Sequence, residues 1–293
     1  MRAKQRLTLV AKGFCIGTAD IIPGVSGGTM AFMLGIYREF IAAIKSFDLA
    51  MLAALIRLEL RQALARPHFG FILPLLLGII AALLFFTRVV SLPQLLQDYP
   101  EQVYGLFFGL VGGSIVALLR ETGVPGGRDC LLLALGALGS YGVFNMVPVQ
   151  TPDAGWFIFI AGALAICAML LPGLSGSFVL LLLNKYTYVF SAIGYFKLSV
   201  LLPFVAGALT GLVLFSRLLS WVLERYYRAA VVFISGLLLA SLTVLWPFRA
   251  RTVPVDPALI DASPAISTAL VSGALMLAGF ALVLALSRRV AVH

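Results

Sequence analysis

The sequence predicts an all-α polytopic membrane protein made of two inverted-topology repeats, each a re-entrant helical hairpin followed by three transmembrane helices. Three observations carry that prediction. The 293 residues are 61% hydrophobic and 11% charged, with a mean hydropathy of +1.06, far from the composition of a soluble domain. A Pro-Gly turn interrupts apolar sequence twice, at Pro23-Gly24-Val25-Ser26-Gly27-Gly28-Thr29 and, 149 positions later, at Pro172-Gly173-Leu174-Ser175-Gly176-Ser177-Phe178. Threaded this way, most Lys and Arg residues fall on one side of the membrane, as the positive-inside rule requires.

The first residues, Met1-Arg2-Ala3-Lys4-Gln5-Arg6, resemble the n-region of a signal peptide. No small-residue cleavage site leads into a soluble domain, so they read as a retained cytoplasmic start. Residues 8 to 43 are two short apolar pieces joined by the first turn, which suits a hairpin that enters and leaves on one face. Such a break is tolerated in lipid where it lines a cavity or is wrapped in protein. Segment 47 to 66 places Leu49, Leu52, Ala53, Ile56, Leu60 and Leu64 at helical spacing opposite Arg57, Glu59, Arg61 and Arg66, the pattern of a helix lying on the membrane surface. Spans follow at 69 to 88, 102 to 119 and 130 to 148, each near the ~20 residues a crossing needs. The second repeat, 149 to 293, supplies a hairpin at 157 to 193 and spans at 198 to 216, 229 to 247 and 266 to 287. Residues 248 to 265, with Pro254, Pro257 and Pro264, read as an extracytoplasmic connector.

Correspondence between the halves extends past the turns. At the same offset Gly13 matches Gly162 and Tyr37 matches Tyr186; at a shorter one Leu73-Pro74, Gly78, Arg88 and Ser91 match Leu202-Pro203, Gly207, Arg217 and Ser220. An odd number of spans per half turns the second copy upside down and puts both termini in the cytoplasm. Arg88, Lys197, Arg249 and Arg251 then fall outside, and Arg38 and Lys185 lie within the hairpins. Two full spans in place of each hairpin would leave the loop sides unchanged, because the extra crossings cancel.

Paired interruptions at matching positions of two halves point to a transporter's binding site. Each turn starts a new half-helix whose unpaired N–H groups attract an anion, phosphate above all. Gly24, Ser26, Gly27, Gly28 and Thr29 in the first turn, and Gly173, Ser175, Gly176 and Ser177 in the second, offer close backbone approach and hydroxyl donors. The bland alternative is that small residues let helices pack closely. Arg38, Lys185, Arg88 and Arg217 are candidate phosphate partners, and the last two equally suit snorkelling at span ends. Asp20 and Glu39 are candidates for energy coupling, since acids at membrane depth default to functional roles. Asp20 has no acidic counterpart in the second repeat, where Met169 aligns; it either carries a proton or sodium ion or pairs with Arg38 or Lys185.

Other classes fit less well. Gly24-Val25-Ser26-Gly27-Gly28 satisfies G-x-S-x-G, yet that motif needs a strand-turn-helix setting and a His partner, and the histidines are His68 and His293. Cys15, Cys130 and Cys167 lack metal spacing and read as small packing residues. No clustered ligand set suggests a metal, and no cofactor is implied. The net charge of +9 sits at span ends and forms no aromatic-interleaved patch, which disfavours nucleic acid.

The run Gly13-Phe14-Cys15-Ile16-Gly17-Thr18-Ala19-Asp20-Ile21-Ile22-Pro23-Gly24-Val25-Ser26-Gly27-Gly28-Thr29-Met30 with Leu34-Gly35-Ile36-Tyr37 closely resembles the first signature of the bacterial polyprenyl-phosphate transporter family. Leu170-Leu171-Pro172-Gly173-Leu174-Ser175-Gly176-Ser177-Phe178 with Lys185-Tyr186 resembles its second. The resemblance covers nearly the whole chain, with Asn184 standing where a glycine is expected. It implies return of undecaprenyl phosphate, the lipid carrier of envelope glycans, from the outer to the inner leaflet of the bacterial cytoplasmic membrane. The runner-up is a membrane undecaprenyl-pyrophosphate phosphatase, whose Pro-Gly-x-Ser-Arg-Ser turn has an Arg where this chain has Gly27 and Gly176. Without that electrophile phosphate can be held, but cleavage lacks its clamp. An ion or small-anion channel is a third class.

Overall fold

A computed structural model describes residues 3–21, 26–47, 57–90, 98–123, 126–248 and 266–290, with isolated positions at 50, 51, 54 and 95. The elements in chain order are α1 (Ala3–Ile21), α2 (Gly27–Met33), α3 (Tyr37–Lys45), α4 (Leu60–Ala65), α5 (Phe69–Arg88), α6 (Pro100–Thr122), α7 (Gly127–Phe144), α8 (Gly155–Leu170), α9 (Gly176–Leu182), α10 (Tyr186–Gly194), α11 (Leu198–Arg225), α12 (Tyr227–Leu245) and α13 (Ile266–Val290). The fold is all-α among the described residues. Helices α5, α6, α11, α12 and α13 are long and apolar enough to cross a bilayer, so the chain is a multi-pass membrane protein. Only 28% of the apolar window of α5 and 17% of that of α11 are buried in protein, and the remaining leucine-rich surface needs hydrocarbon around it.

The helix ends recur with the sequence offset. α2 and α9, and likewise α3 and α10, begin and end 149 positions apart, and α1 and α8 stop at equivalent residues. Each hairpin region carries three helices where the sequence suggested two apolar pieces. The additional break lies at Leu34-Gly35-Ile36 and Leu183-Asn184-Lys185, and α9 and α10 bend there by 114°. Gly35 and Asn184 both sit in the left-handed region, at φ 67° and 52°. Asn is the side chain that tolerates this conformation best after glycine, so Asn184 preserves the bend that its counterpart makes without a Cβ.

Two further boundaries differ from expectation. α7 ends at Phe144 rather than 148, and residues 146–154 are non-helical, since Pro148 and Pro152 deny the helix their N–H groups. Gly127-Arg128-Asp129 opens α7, which leaves its apolar run below the ~20 residues of a full crossing. In segment 47–66, helix is described at Ala50, Met51, Ala54 and Leu60–Ala65, Leu58 adopts φ 58°, and residues 48, 49, 52, 53, 55 and 56 lie outside the described residues. The connector 249–265 and the first turn's Pro23 and Gly24 lie outside the described residues.

Two compact units form, and each draws on both halves of the chain: Met1–Phe85 with Asn145–Ala230, and Phe86–Phe144 with Val231–His293. In the first unit α1 packs parallel to α5, where a Cβ on Gly13 would overlap the Leu75 carbonyl and one on Gly78 the Val10 carbonyl. α8 packs on α11 with Gly162 against Phe204 and Gly207 against Phe159, the equivalent positions. Pro74 and Pro203 lie inside α5 and α11 at matching places, and membrane helices absorb such breaks through their neighbours. Backbone contact of this kind replaces the hydrophobic effect, which contributes little between helices in lipid.

The second unit exchanges partners. α6 lies against α13, with Gly109 on the Met276 carbonyl and Gly279 on the Leu106 carbonyl. α7 lies against α12 through the corresponding contacts of Gly236 with Leu133 and Gly136 with Phe233. Thus α6 from the first half of the chain packs on α13 from the second, and α12 from the second half packs on α7 from the first.

Candidate functional site

The site is assembled within the first unit, where the two interrupted segments meet. α8 stops at Leu170 because Pro172 follows, and its last carbonyls lose their intrahelical donors. The first segment replaces them. Ser26 Oγ donates to the Met169 carbonyl at 3.3 Å, and the Tyr37 hydroxyl donates to the Leu170 carbonyl at 2.7 Å. A third bond runs the other way, from the Gly173 N–H to Thr29 Oγ1 at 2.8 Å. Gly173 has φ 89°, a conformation open to glycine, and Thr29 holds the amide that this turn leaves unpaired.

The first turn is closed around its own groups. Ser26 is the extended N-cap of α2, and its Oγ accepts from the Gly28 N–H at 3.2 Å. Asp20 Oδ1 accepts from the Gly27 N–H at 2.7 Å. A Cβ on Gly27 would come within 2.6 Å of that carboxylate, and one on Gly28 within 2.9 Å of the Met169 carbonyl. Ser26, Gly27, Gly28 and Thr29 are all buried.

The second turn is more open. Ser175 is the extended N-cap of α9 and makes no side-chain cap bond. Its Oγ lies 2.7 Å from Ser177 Oγ, and Ser177 is exposed. Gly176 is buried, and a Cβ there would meet the Ala165 carbonyl at 2.5 Å.

Lys185 is placed differently from the turns. It is 2% exposed, donates to the Thr151 carbonyl at 2.8 Å, and is ion-paired with Asp153. Phe157 and Tyr188 lie 5.9 and 5.5 Å from its ammonium, the range of a cation–π contact. Of the structural partners considered for Asp20, Lys185 is therefore taken by Asp153. Asp153 was hidden in the sequence because Pro152 and its neighbours look like a plain connector. The same non-helical segment also binds the additional break, through Thr151 Oγ1 to the Leu183 carbonyl and the Val149 N–H to the Leu182 carbonyl at 2.9 Å. In the first repeat the equivalent Leu34 carbonyl accepts from Lys12 Nζ at 2.9 Å.

Arg38 is exposed and lies 5.1 Å from the ring centroid of Tyr227, while Glu39 lies within electrostatic range of Lys12. Arg88 is at the exposed C-terminal end of α5, and Arg217 is half-buried in α11. Among the described residues, neither takes part in the bonds that Ser26, Thr29 and Tyr37 make to the second turn. At the far end of α3, Lys45 Nζ donates to Ser220 Oγ at 3.1 Å and stands 3.5 Å from Glu224, which accepts from Ser220 at 2.7 Å. Among the described residues no three acidic, His or Cys side chains are grouped to hold a metal.

Residues 16–258 match the VCA0040-like family, described as undecaprenyl phosphate translocase-like. The chain is 36% identical over 243 residues to a polyprenyl-phosphate transporter of Vibrio cholerae, covering 83% of this chain and 78% of that one. It is 28% identical over 256 residues to a polyprenyl-phosphate transporter of Staphylococcus aureus, covering 81% and 85%. No solved structure matches it.

Proposed function

Because the chain belongs to the undecaprenyl phosphate translocase-like family, we propose that it transports a polyprenyl phosphate across the bacterial cytoplasmic membrane and holds the phosphate headgroup at the paired Pro-Gly turns. The observation that carries this reading is the joining of the two turns by Ser26, Thr29 and Tyr37, which brings the chain's two interruptions into one place. Transport runs from the outer to the inner leaflet and returns the lipid carrier for envelope glycan synthesis. It proceeds by alternating access between two oppositely oriented repeats.

The orientation reading has support in the contacts. α1 runs parallel to α5, and α8 runs parallel to α11. His68, just before α5, bonds through its N–H to Ser46 Oγ, and the neighbouring Lys45 meets Glu224 at the C-terminal end of α11. The start of α5 and the end of α11 therefore share one level, which supports the reading that α1 and α8 run in opposite directions. With α1 entering from the cytoplasm, the charge distribution puts both termini there as well.

Moving a phosphate inward against a negative interior costs about 2.3 kcal/mol per charge per 100 mV. Asp20, bonded to the first turn and matched by no acid in the second, is the proposed site of a coupling proton or sodium ion, with Glu39 as a further acid nearby in the sequence. A phosphatase is disfavoured because Gly27 and Gly176 stand where that chemistry needs a cationic clamp. Purified protein in vesicles should move labelled undecaprenyl phosphate between leaflets and release no phosphate from undecaprenyl pyrophosphate. Sustained phosphate release would transfer the assignment to the phosphatase, and ion conduction without lipid dependence would transfer it to a channel.

A further inference from the structure

Lys185 is a buried cation whose counter-ion is not buried. Its side chain is 3% exposed and that of Asp153 is 63% exposed, so the carboxylate reaches the ammonium from the solvent side. An ion pair in such a place is weak evidence of a stability role, and a charge at membrane depth defaults to a functional one.

Asp153 belongs to the non-helical stretch 146–154, in which every residue except Thr151 is exposed. The Val149 N–H bonds to the Leu182 carbonyl and Thr151 Oγ1 to the Leu183 carbonyl, while Lys185 Nζ donates to the Thr151 carbonyl and to Asp153. Each of these bonds ends at the bend between α9 and α10, so the stretch is fastened at one place and by polar contacts. Lifting it breaks those contacts at little cost in apolar packing. It uncovers an ammonium flanked by the rings of Phe157 and Tyr188, with three N–H donors in need of a negatively charged acceptor. A phosphate monoester offers several acceptor oxygens and more charge than the carboxylate it would displace.

Resting on the transport reading above, we propose that Lys185 is a phosphate-monoester site and that Asp153 is its tethered occupant. The stretch 146–154 is a strap that covers the site until a headgroup displaces the carboxylate. On the orientation proposed above, this end of α8 faces the outer side of the membrane, so the site receives the lipid before the Pro-Gly turns do.

The test measures binding of undecaprenyl phosphate, undecaprenol and inorganic phosphate to the purified full chain, its ligand-free melting temperature, and modification of Lys185 by a water-soluble amine reagent, read by mass spectrometry. A site that is open part of the time binds more weakly by the open fraction. Asp153→Asn should therefore bind undecaprenyl phosphate about fivefold or more tighter than wild type while melting at a lower temperature, a split that a purely structural pair would not produce. Its Lys185 should be modified faster than in wild type, and undecaprenyl phosphate should protect it. Lys185→Met should lose at least about tenfold in affinity for the phosphate lipid and bind undecaprenol as wild type does. Wild-type or weaker affinity in a folded Asp153→Asn variant overturns the inference, as does unchanged affinity in Lys185→Met, and either leaves the headgroup site at the turns standing. Protection of Lys185 by the lipid at concentrations where inorganic phosphate gives none supports the headgroup as occupant; equal protection by both assigns the site to the free anion and overturns its place in lipid entry. A wild-type protein that does not distinguish undecaprenyl phosphate from undecaprenol removes the transport reading and this inference together. Where Asp153→Asn fails to assemble, Lys185→Met and protection of the wild-type lysine decide the matter.

Discussion

The carboxylate of Asp20 lies 2.7 Å from the amide nitrogen of Gly27, across the turn that separates α1 from α2. A Cβ on residue 27 would sit against the carboxylate oxygens, so the Asp20 side chain would have to move aside. The acid and the glycine form a matched pair, and the second repeat has kept the glycine for a different reason: Gly176 is crowded by the Ala165 backbone carbonyl.

Asp20→Asn should fold, because the Asn side-chain oxygen can still accept from the Gly27 N–H. The charge that could follow a proton or sodium gradient is gone. Uptake of labelled undecaprenyl phosphate by vesicles should persist downhill and lose its dependence on the imposed gradient. Gradient dependence at the wild-type level in a folded variant would sink the coupling role, and loss of assembly would make Asp20 structural.

Gly176→Ala should be the more damaging of the two glycine substitutions. Its obstacle is backbone, whereas at Gly27 the Asp20 side chain can rotate aside. Overpacking of this sort costs about 1–3 kcal/mol, so Gly176→Ala should melt at a clearly lower temperature. Gly27→Ala should instead reproduce the transport defect of the Asp20 variant. A double-mutant cycle between Asp20→Ala and Gly27→Ala should be strongly non-additive; additive effects would separate the two residues.

Asp153→Asn leaves the Lys185 ammonium buried beside Phe157 and Tyr188. Breaking a buried pair costs about 3–5 kcal/mol, but the Asp153 side chain is 63% exposed, and solvent screening reduces that to about 1–2 kcal/mol. Lys185→Met removes the buried charge and should cost less. The double variant should melt no lower than Asp153→Asn alone, and a markedly lower value would show that the pair is not what holds the 146–154 segment.

Asn184→Gly should be tolerated, and Asn184→Val should lose about 1–2 kcal/mol, because the left-handed backbone is costly for a side chain with a branched Cβ. Thermal melts of the two variants check this. Equal stability would mean that the bend between α9 and α10 is not fixed by residue 184.

The membrane class and the placement of most spans were legible from apolar run length. The equivalence of the interrupted segments was legible from Pro-Gly-x-Ser-Gly at a fixed offset, since only a turn needs that combination in apolar sequence. The second bend was not: Gly35 and Asn184 share a backbone conformation but not a residue type. Lys185 was found as a charge at membrane depth, yet its partner Asp153 lies in a Pro-containing stretch with no periodicity to place it. The commitment of Ser26 and Thr29 to the other turn depends on contacts 143 and 144 residues apart in sequence, which no local pattern encodes.

The exchanged pairing of α6 with α13 and of α12 with α7 bears on biosynthesis. α6 and α7 are synthesised before either of their partners, and their glycine-lined faces lack a partner helix in the meantime. Neither half of the gene, expressed alone, would supply the surfaces those faces need. Two half-length chains made together in one cell could complete each other, and a ribosome stalled between them would leave an assembly intermediate with two unoccupied seams for quality-control proteases to find.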